Sequence, residues 1–239
     1  MFDLNGDNDD EIIAIQGGVL KAFDPFKPSG ATTVAFEQNV TGGRVWRLVA
    51  TGDLNNDGRD EILATHSEGS GERLFVWRGD ATGTTWTQIY TETFGAQFRT
   101  LATGDIDGDG RADFVMLRDA DKLVKAWSGS NFSVLIDSTS GFVWTDVAIG
   151  DVYTDSTAKR ELALSRTGVL FQLNSFWVWR WKSSNQWDEL YGEKLYPNFT
   201  SLAVGDLNGD GDDEVLLLRS VNDNNVLQLA IRNPSGTSM

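Results

Sequence analysis

The sequence predicts an all-β fold, a β-propeller of about five four-stranded blades with incomplete terminal blades. Three observations carry this prediction. An aspartate-rich motif occurs five times in 239 residues, short strand-like apolar segments follow each copy, and no stretch has the 3.6-residue period of an amphipathic helix. Four short strands per period of roughly 50 residues are typical of blades, which bury their apolar faces by stacking. An ordinary β-sandwich with frequent turns is the alternative.

The repeat is defined by its aspartate-rich motif, whose positions we number from the first aspartate. The five copies are DLNGDNDDEII, DLNNDGRDEIL, DIDGDGRADFV, DVYTDSTAKREL and DLNGDGDDEVL, beginning at residues 3, 53, 105, 151 and 206. The first, second, third and fifth copies have acidic or amide side chains at positions 1, 3, 5 and 9. An aromatic residue lies seven residues before the motif in copies two to five, and a glycine precedes the first aspartate directly. Each such segment predicts a first strand that leads into the motif.

Three further strands are predicted after each motif. The second strands are EIIAI, EILAT, DFVML, ELALS and EVLLL, and the third strands are VLKAF, LFVWR, LVKAW, FWVWRW and VLQLAI. Fourth strands follow in the first four repeats only, and the first repeat has no first strand, which predicts 18 strands in one domain over residues 1–239. The open edges, near Ile12 to Ile15 and near Val226 to Ile231, are expected to pair with a second copy, a partner chain or further blades of a longer parent chain.

The motif has the chemistry of a cation-binding loop. Alternate positions can direct three oxygens to one centre, and glycine at position 6 adopts the left-handed backbone of a sharp turn. An ion-free Asp-Asn-Gly turn is the alternative, but its crowded carboxylates would repel one another without a cation. Carboxylate, amide and carbonyl oxygens suit Ca²⁺ better than a transition metal. An EF-hand is excluded because apolar residues replace its twelfth-position glutamate: Ala14, Ala64, Met116 and Leu217.

The pattern D-x-[DN]-x-D-G-x-x-[DE] between two strands resembles the FG-GAP/VCBS repeat, the calcium-binding blade of integrin α-subunit propellers and many bacterial surface proteins. The resemblance covers essentially the whole chain and is closer to the bacterial type, because Phe94-Gly95 is the single FG dipeptide. It implies about four Ca²⁺ ions, each held by side chains at positions 1, 3, 5 and 9 and a main-chain carbonyl at position 7. The implied ligands are Asp3, Asn5, Asp7, Asp9 and Glu11; Asp53, Asn55, Asp57, Arg59 and Glu61; Asp105, Asp107, Asp109, Arg111 and Asp113; Asp206, Asn208, Asp210, Asp212 and Glu214.

The fourth copy departs from this pattern. Tyr153 replaces the ligand at position 3, Ser156 replaces the glycine, and two extra residues displace Glu161 in the sequence. Asp151 and Asp155 remain. We expect this loop to hold no ion, and Lys159 or Arg160 to compensate its charge.

Composition excludes several classes of function. A formal net charge of −15 makes nucleic acid and anionic membrane surfaces unfavourable partners. The absence of cysteine removes disulfides, thiolate metal sites and thiol nucleophiles, and the single histidine, His66, which we expect in a loop, removes His-pair metal sites. No apolar run is long enough to insert in a membrane. The opening MFDLNGD is not a signal peptide, so an extracellular or cell-surface location rests on the resemblance and implies a piece of a longer secreted protein.

Nine tryptophans offer a further candidate surface. Most are expected to pack between blades, but alternation places Trp177, Trp179 and Trp181 on one strand face, which we take as a candidate ligand surface. The sequence therefore predicts a non-catalytic, calcium-binding module for extracellular protein or glycan binding or adhesion. A propeller scaffold of a polysaccharide-degrading, lyase-like enzyme and a structural spacer are the alternatives, and no catalytic residues are identified.

Overall fold

The computed structural model describes residues 3–6, 9–25, 36–81, 83–153, 159–166, 174–195, 199–221 and 226–232. These residues form eighteen β-strands and no helix, which confirms the predicted all-β class and strand number for the described part of the chain. Since no helix forms there, none is found that could cross a membrane. The chain packs as two compact units, residues 1–97 and 98–239. The single domain over residues 1–239 stays a prediction.

The first unit contains two antiparallel sheets whose strands follow one another in sequence order. The first sheet has three strands, β1 (Ile12–Gln16), β2 (Val19–Phe23) and β3 (Phe36–Asn39). The second sheet has four strands, β4 (Trp46–Gly52), β5 (Glu61–Glu68), β6 (Gly71–Gly79) and β7 (Trp86–Phe94). Within each sheet, strands that follow one another in sequence are therefore paired, as in a propeller blade.

The second unit contains three sheets of the same kind. Its first sheet has β8 (Thr100–Gly104), β9 (Asp113–Arg118), β10 (Leu123–Trp127) and β11 (Val134–Thr139). Its second has β12 (Asp146–Gly150), β13 (Glu161–Arg166), β14 (Asn174–Ser183) and β15 (Gln186–Leu195). Its third has β16 (Phe199–Gly205), β17 (Glu214–Val221) and β18 (Val226–Arg232). The three-stranded sheets are the first and the last along the chain, as predicted.

The aspartate-rich loops join the first and second strands of four sheets, and strand register fixes both ends of each loop. The glycine before the motif pairs with the acidic residue that starts the next strand: Gly52 with Glu61, Gly104 with Asp113, Gly150 with Glu161 and Gly205 with Glu214. The fourth pair shows that the two extra residues do not displace Glu161 in the structure, because it keeps the register of its counterparts. The sequence expectation of a displaced Glu161 is therefore wrong in three dimensions.

Aromatic and aliphatic side chains fill the spaces beside the sheets. In the first unit Trp46 and Trp77 belong to a cluster with Leu20 and Ile62, and in the second unit Trp144 and Trp179 pack with Val115 and Leu162. These four tryptophans are at most 7% exposed, as expected for core packing.

His66 lies in strand β5 and is 6% exposed, so its expected place in a loop is wrong. Its ring packs 5.5 Å from Trp46 and 4.9 Å from Phe75, measured between ring centres. Its Nδ1 atom lies 2.9 Å from the carbonyl oxygen of Ser67. His66 is therefore a core residue.

Candidate metal centre

We call the loops of the first, second, third and fifth copies the regular loops. The aspartate at position 1 organises each of them by accepting backbone hydrogen bonds. In the third loop, Asp105 Oδ1 accepts the N–H groups of Gly108 at 2.7 Å and Asp109 at 3.1 Å, and its Oδ2 accepts the N–H of Gly110 at 2.8 Å. Asp53 accepts the N–H of Gly58 at 2.8 Å in the second loop. Asp206 accepts the N–H of Gly211 at 3.1 Å in the fifth loop. The repeated aspartate thus curls the chain around its own carboxylate.

In the second, third and fifth loops, two positions use the left-handed backbone. Position 6 has φ of 83° at both Gly58 and Gly110 and 98° at Gly211, as the sequence predicted. Position 4 also has positive φ, 83° at Gly108 and 60° at Asn56, which the sequence analysis did not identify. Asparagine and glycine are the residues that tolerate this conformation best. The chain therefore reverses direction sharply within each of these loops.

The third loop brings three carboxylates together. Asp105, Asp107 and Asp109 each place one oxygen within 4.8 Å of the others, and among the described residues this is the one such group of three acidic or histidine side chains. The pKa of Asp107 is raised, mainly by burial and secondly by repulsion from Asp109. Hard oxygen atoms at this spacing are what a divalent cation such as Ca²⁺ binds. The donor set of this loop therefore fits a cation.

Positions 5 and 7 are linked in the same way in three loops. The N–H of the position-7 residue donates to the position-5 carboxylate, from Arg59 to Asp57 at 3.1 Å and from Asp212 to Asp210 at 3.0 Å. The Arg59 guanidinium also donates to Asp57 at 2.8 Å and lowers its pKa. The third loop has an equivalent ion pair of 3.3 Å between Arg111 and Asp109. These exposed pairs compensate part of the negative charge at position 5.

The acidic residue at position 9 is buried and holds the loop to its strand. Glu61 is 2% exposed, and its carboxylate accepts the N–H of Leu54 at 2.8 Å and the Asn55 amide at 2.7 Å. The Arg78 guanidinium on strand β6 donates to the same carboxylate at 2.7 Å. Glu61 is thus hydrogen-bonded to its own loop and to the third strand. Its cation contact, which the family resemblance implies, stays a prediction.

The third loop uses a shorter acid at this position. Asp113 is fully buried and accepts the N–H groups of Ile106 at 2.8 Å and Gly129 at 2.9 Å. A backbone N–H of the turn after strand β10 thus takes the place of the arginine. Burial raises the pKa of Asp113 to about 7, against the lowering effect of the Gly129 N–H.

The first and fifth loops repeat the contact between positions 3 and 9. Asn5 donates its side-chain amide to Glu11 at 2.8 Å, and Asn208 donates to Glu214 at 3.1 Å. In the first loop Asp3 accepts the N–H of Gly6 at 2.6 Å. Asp7 lies outside the described residues.

In the fourth loop the position-9 acid again bonds both its own loop and the third strand, an arrangement that we call the clasp. This loop also has a positive charge near position 1. Glu161 accepts the N–H of Val152 at 2.9 Å, and Arg180 on strand β14 donates to it at 2.7 Å. The Arg160 guanidinium lies 3.6 Å from the Asp151 carboxylate, at the place where the sequence predicts a compensating charge. Asp155 lies outside the described residues, and an ion-free loop stays a prediction.

Backbone hydrogen bonds link successive loops within each unit. The N–H of the residue before the position-9 acid donates to the carbonyl of the preceding motif's first aspartate: Asp60 to Asp3 at 2.8 Å, Arg160 to Asp105 at 2.8 Å and Asp213 to Asp151 at 2.6 Å. Asp213 also accepts the N–H of Asp151 through its carboxylate at 2.8 Å. The sequence analysis did not predict that the residue before the position-9 acid links neighbouring loops, although the acidic pairs in DDE and RDE were visible in the motif.

The tryptophans of strand β14 separate into two environments. Trp177 and Trp179 line a pocket, whereas Trp181 lies under the Lys159 ammonium, 4.9 Å from its ring centre. Phe176 and Val178, on the opposite strand face, are fully buried. Trp179 is only 6% exposed, so the tryptophan face is not exposed along its length.

Comparison with known proteins supports the repeat. Residues 53–116, which contain the second and third loops, match the model of the FG-GAP-like repeat, so this segment consists of FG-GAP-like repeats. The fold is similar to that of rhamnogalacturonan lyase PL11 of Bacillus licheniformis, with a TM-score of 0.50 and 13% sequence identity. The similarity covers 90% of this chain and 58% of the lyase chain, so the protein spans less than two thirds of that length. No curated protein sequence matches the chain.

Proposed function

We propose that the protein is a non-catalytic, calcium-stabilised β-propeller module of about five blades that binds a protein or glycan outside the cell. The main support for calcium binding is the cluster of Asp105, Asp107 and Asp109, whose oxygens lie within 4.8 Å of one another in an FG-GAP-like repeat. Calcium would be held in that loop by these three side chains, with the Arg111 carbonyl and Asp113 as the further ligands the family implies. Bound calcium supplies positive charge between carboxylates that otherwise repel.

The chemistry of the loops favours Ca²⁺ over other metals. Oxygen is the ligand atom at every proposed position, and the chain contains no cysteine. Calcium accepts six to eight oxygens in flexible geometry, whereas Mg²⁺ demands a near-octahedral set. Isothermal titration of chelator-treated protein should show about four Ca²⁺ ions per chain, bound with dissociation constants of roughly 0.1–1 mM. Binding of Mg²⁺ in preference to Ca²⁺ would contradict the assignment.

Single substitutions should remove the ions one at a time. Asp57→Ala takes a carboxylate out of the second loop, so we expect the number of bound ions to fall by one while the other sites keep their affinities. Asp155→Ala is the matched control, because it changes an aspartate of the loop that we expect to hold no ion. Titration of both variants with Ca²⁺ tests this. Loss of an ion in Asp155→Ala would place a cation in the fourth loop.

A polysaccharide lyase is the rival function, since the solved structure of similar fold is named a rhamnogalacturonan lyase. That similarity, at 13% identity, supports the fold alone. Incubation with rhamnogalacturonan and polygalacturonate, followed by detection of the unsaturated product, separates the two functions. Calcium-dependent turnover would overturn the non-catalytic proposal.

Open strand edges favour self-association. Strand β1 is the outer strand of its three-stranded sheet, and its Ile12 and Ile15 are 54% and 39% exposed. Unpaired strand edges with apolar side chains pair readily with other strands. We expect the chain to sediment as a dimer or larger species at micromolar concentration, and the double variant Ile12→Lys, Ile15→Lys to shift it towards the monomer. A monomer at every concentration would contradict this expectation.

A further inference from the structure

A pocket of about 310 Å³ opens in the second unit beside strands β14 and β15, and we call it the aromatic pocket. Its volume lies at the lower end of the range of small-ligand sites, about 300–1,000 Å³. Residues 138–140 contribute two serines and a threonine to its wall, and Glu189 contributes a carboxylate. Five aromatic side chains line the rest: Phe142, Trp144, Trp177, Trp179 and Trp187.

Three of the tryptophans form a packed series. The rings of Trp144 and Trp179 meet edge to face with their centres 5.2 Å apart. Trp179 in turn stacks on Trp187, with ring centres 4.8 Å apart and an interplanar angle of 16°. Trp144 and Trp179 are 3% and 6% exposed, whereas Trp187 is half-buried. The buried pair therefore supports a more accessible ring at the pocket wall.

The fourth tryptophan is fixed by two contacts on its own sheet. The indole N–H of Trp177 donates to Ser175 Oγ at 3.0 Å. Its ring lies against Gly192 of strand β15, where an added Cβ would come within 2.5 Å of two ring atoms. Glycine at this place gives the indole a flat support. The aromatic surfaces are thus ordered before a ligand binds, which reduces the entropy lost on binding.

The corresponding tryptophans of the first unit make different contacts. Trp46 corresponds to Trp144, since each lies seven residues before its motif. The indole N–H of Trp46 donates to the Gln38 carbonyl at 3.2 Å, and Phe36 packs 5.2 Å from the Trp86 ring. The Trp144 indole N–H has no such partner among the described residues. The surroundings of Trp144 in the fourth repeat therefore differ from those of Trp46 in the second.

The polarity of the lining selects among ligands. Flat aromatic faces carry negative π density and attract the polarised C–H bonds on the face of a sugar ring. The hydroxyl groups at 138–140 and the Glu189 carboxylate can exchange hydrogen bonds with sugar hydroxyls. Glu189 is the one charged side chain among the described lining residues, and the chain carries a net charge of −15. An anionic sugar would be repelled, whereas an uncharged one would not.

We infer that the aromatic pocket binds a pyranose ring of an uncharged oligosaccharide. The inference rests on the proposed function of a module that binds a protein or a glycan. It specifies that the ligand is a glycan, where it binds and that it is uncharged. Trp177 and Trp187 stack on the sugar, and Trp144 and Trp179 support them from behind.

Calorimetry with defined tetrasaccharides tests the inference. Cellotetraose, mannotetraose and galactotetraose are titrated in calcium buffer, with tetragalacturonate as the charged comparison. We expect at least one uncharged tetrasaccharide to bind, and Trp187→Ala to weaken its affinity at least about tenfold. Trp86→Ala is the matched control, because Trp86 is the counterpart of Trp187 in the first unit. Trp86 lies two residues before Gln88, the strand partner of Trp77, and Trp187 lies two residues before Glu189, the strand partner of Trp179. We expect this control to keep its affinity within about twofold.

A second pair of variants addresses folding. Glu189→Arg places a long side chain at the pocket without removing core packing, and Gln88→Arg is its counterpart in the first unit. We expect loss of sugar binding in the first and retention in the second, with unchanged melting temperatures. The inference is overturned if no uncharged tetrasaccharide binds, if tetragalacturonate binds more tightly, or if both members of a pair lose binding equally. Calcium-dependent stability without sugar binding would overturn the pocket assignment alone, whereas sugar turnover would contradict the non-catalytic function.

Discussion

Removal of calcium with EDTA should lower the melting temperature of the protein by about 10 °C or more. With dissociation constants of about 0.1–1 mM, each site contributes roughly 1.4–2.7 kcal/mol at 10 mM free Ca²⁺. Four sites then contribute about 6–11 kcal/mol to the free energy of unfolding. A domain of this size changes its melting temperature by about 2–4 °C per kcal/mol. Differential scanning calorimetry with and without EDTA measures this shift.

The structure gives a reason why the loss should spread beyond each loop. The Asp105, Asp107 and Asp109 carboxylates have no cation between them after chelation, and the same loop accepts the Arg160 N–H from the next repeat at 2.8 Å. Disorder in one loop therefore weakens its neighbour. Restoring Ca²⁺ should restore the melting temperature, and equimolar Mg²⁺ should restore less of it. An unchanged melting temperature in EDTA would contradict the calcium proposal.

The sequence predicted the sheets because each strand is a short apolar or alternating segment bounded by turn residues. The glycine that ends each first strand and the acidic residue that starts the second are both visible in the sequence, so the position of the loops followed. The exception was the fourth repeat, whose motif is two residues longer and whose Glu161 nevertheless pairs with Gly150. Spacing along the chain could not show this, because strand pairing determines where Glu161 lies.

The contacts of the position-9 acid depend on strand register. Arg78 is 17 residues from Glu61 in sequence and reaches it because strand β6 lies beside β5. The accessibility of Trp187 depends on packing against residues from another strand in the same way. A carboxylate at the start of a strand and a tryptophan on its face were both visible in the sequence. Their roles, a clasp and a pocket wall, required three-dimensional structure.

The second large effect is expected from Glu161→Ala, which should lower the free energy of unfolding by about 3–5 kcal/mol. Glu161 is fully buried, and its removal takes away the acceptor of the Val152 and Tyr153 N–H groups together with the ion pair to Arg180. Breaking a buried ion pair and leaving buried N–H groups without an acceptor both destabilise a fold. Urea unfolding followed by tryptophan fluorescence measures the change. Glu189→Ala, which removes an exposed carboxylate from the same sheet, should change stability by less than about 0.5 kcal/mol.

Calcium dependence distinguishes a clasp from a metal ligand at position 9. Glu161 belongs to the loop that we expect to hold no ion, so Glu161→Ala should cost the same in calcium and in EDTA. Glu61 makes the equivalent contacts, with Leu54 at 2.8 Å and Arg78 at 2.7 Å, in a loop that we expect to bind Ca²⁺. Glu61→Ala should therefore destabilise the protein in EDTA about as much as Glu161→Ala does, and further in calcium, because the variant also loses an ion. A Glu61→Ala penalty that disappears in EDTA would show that this carboxylate acts only through the cation.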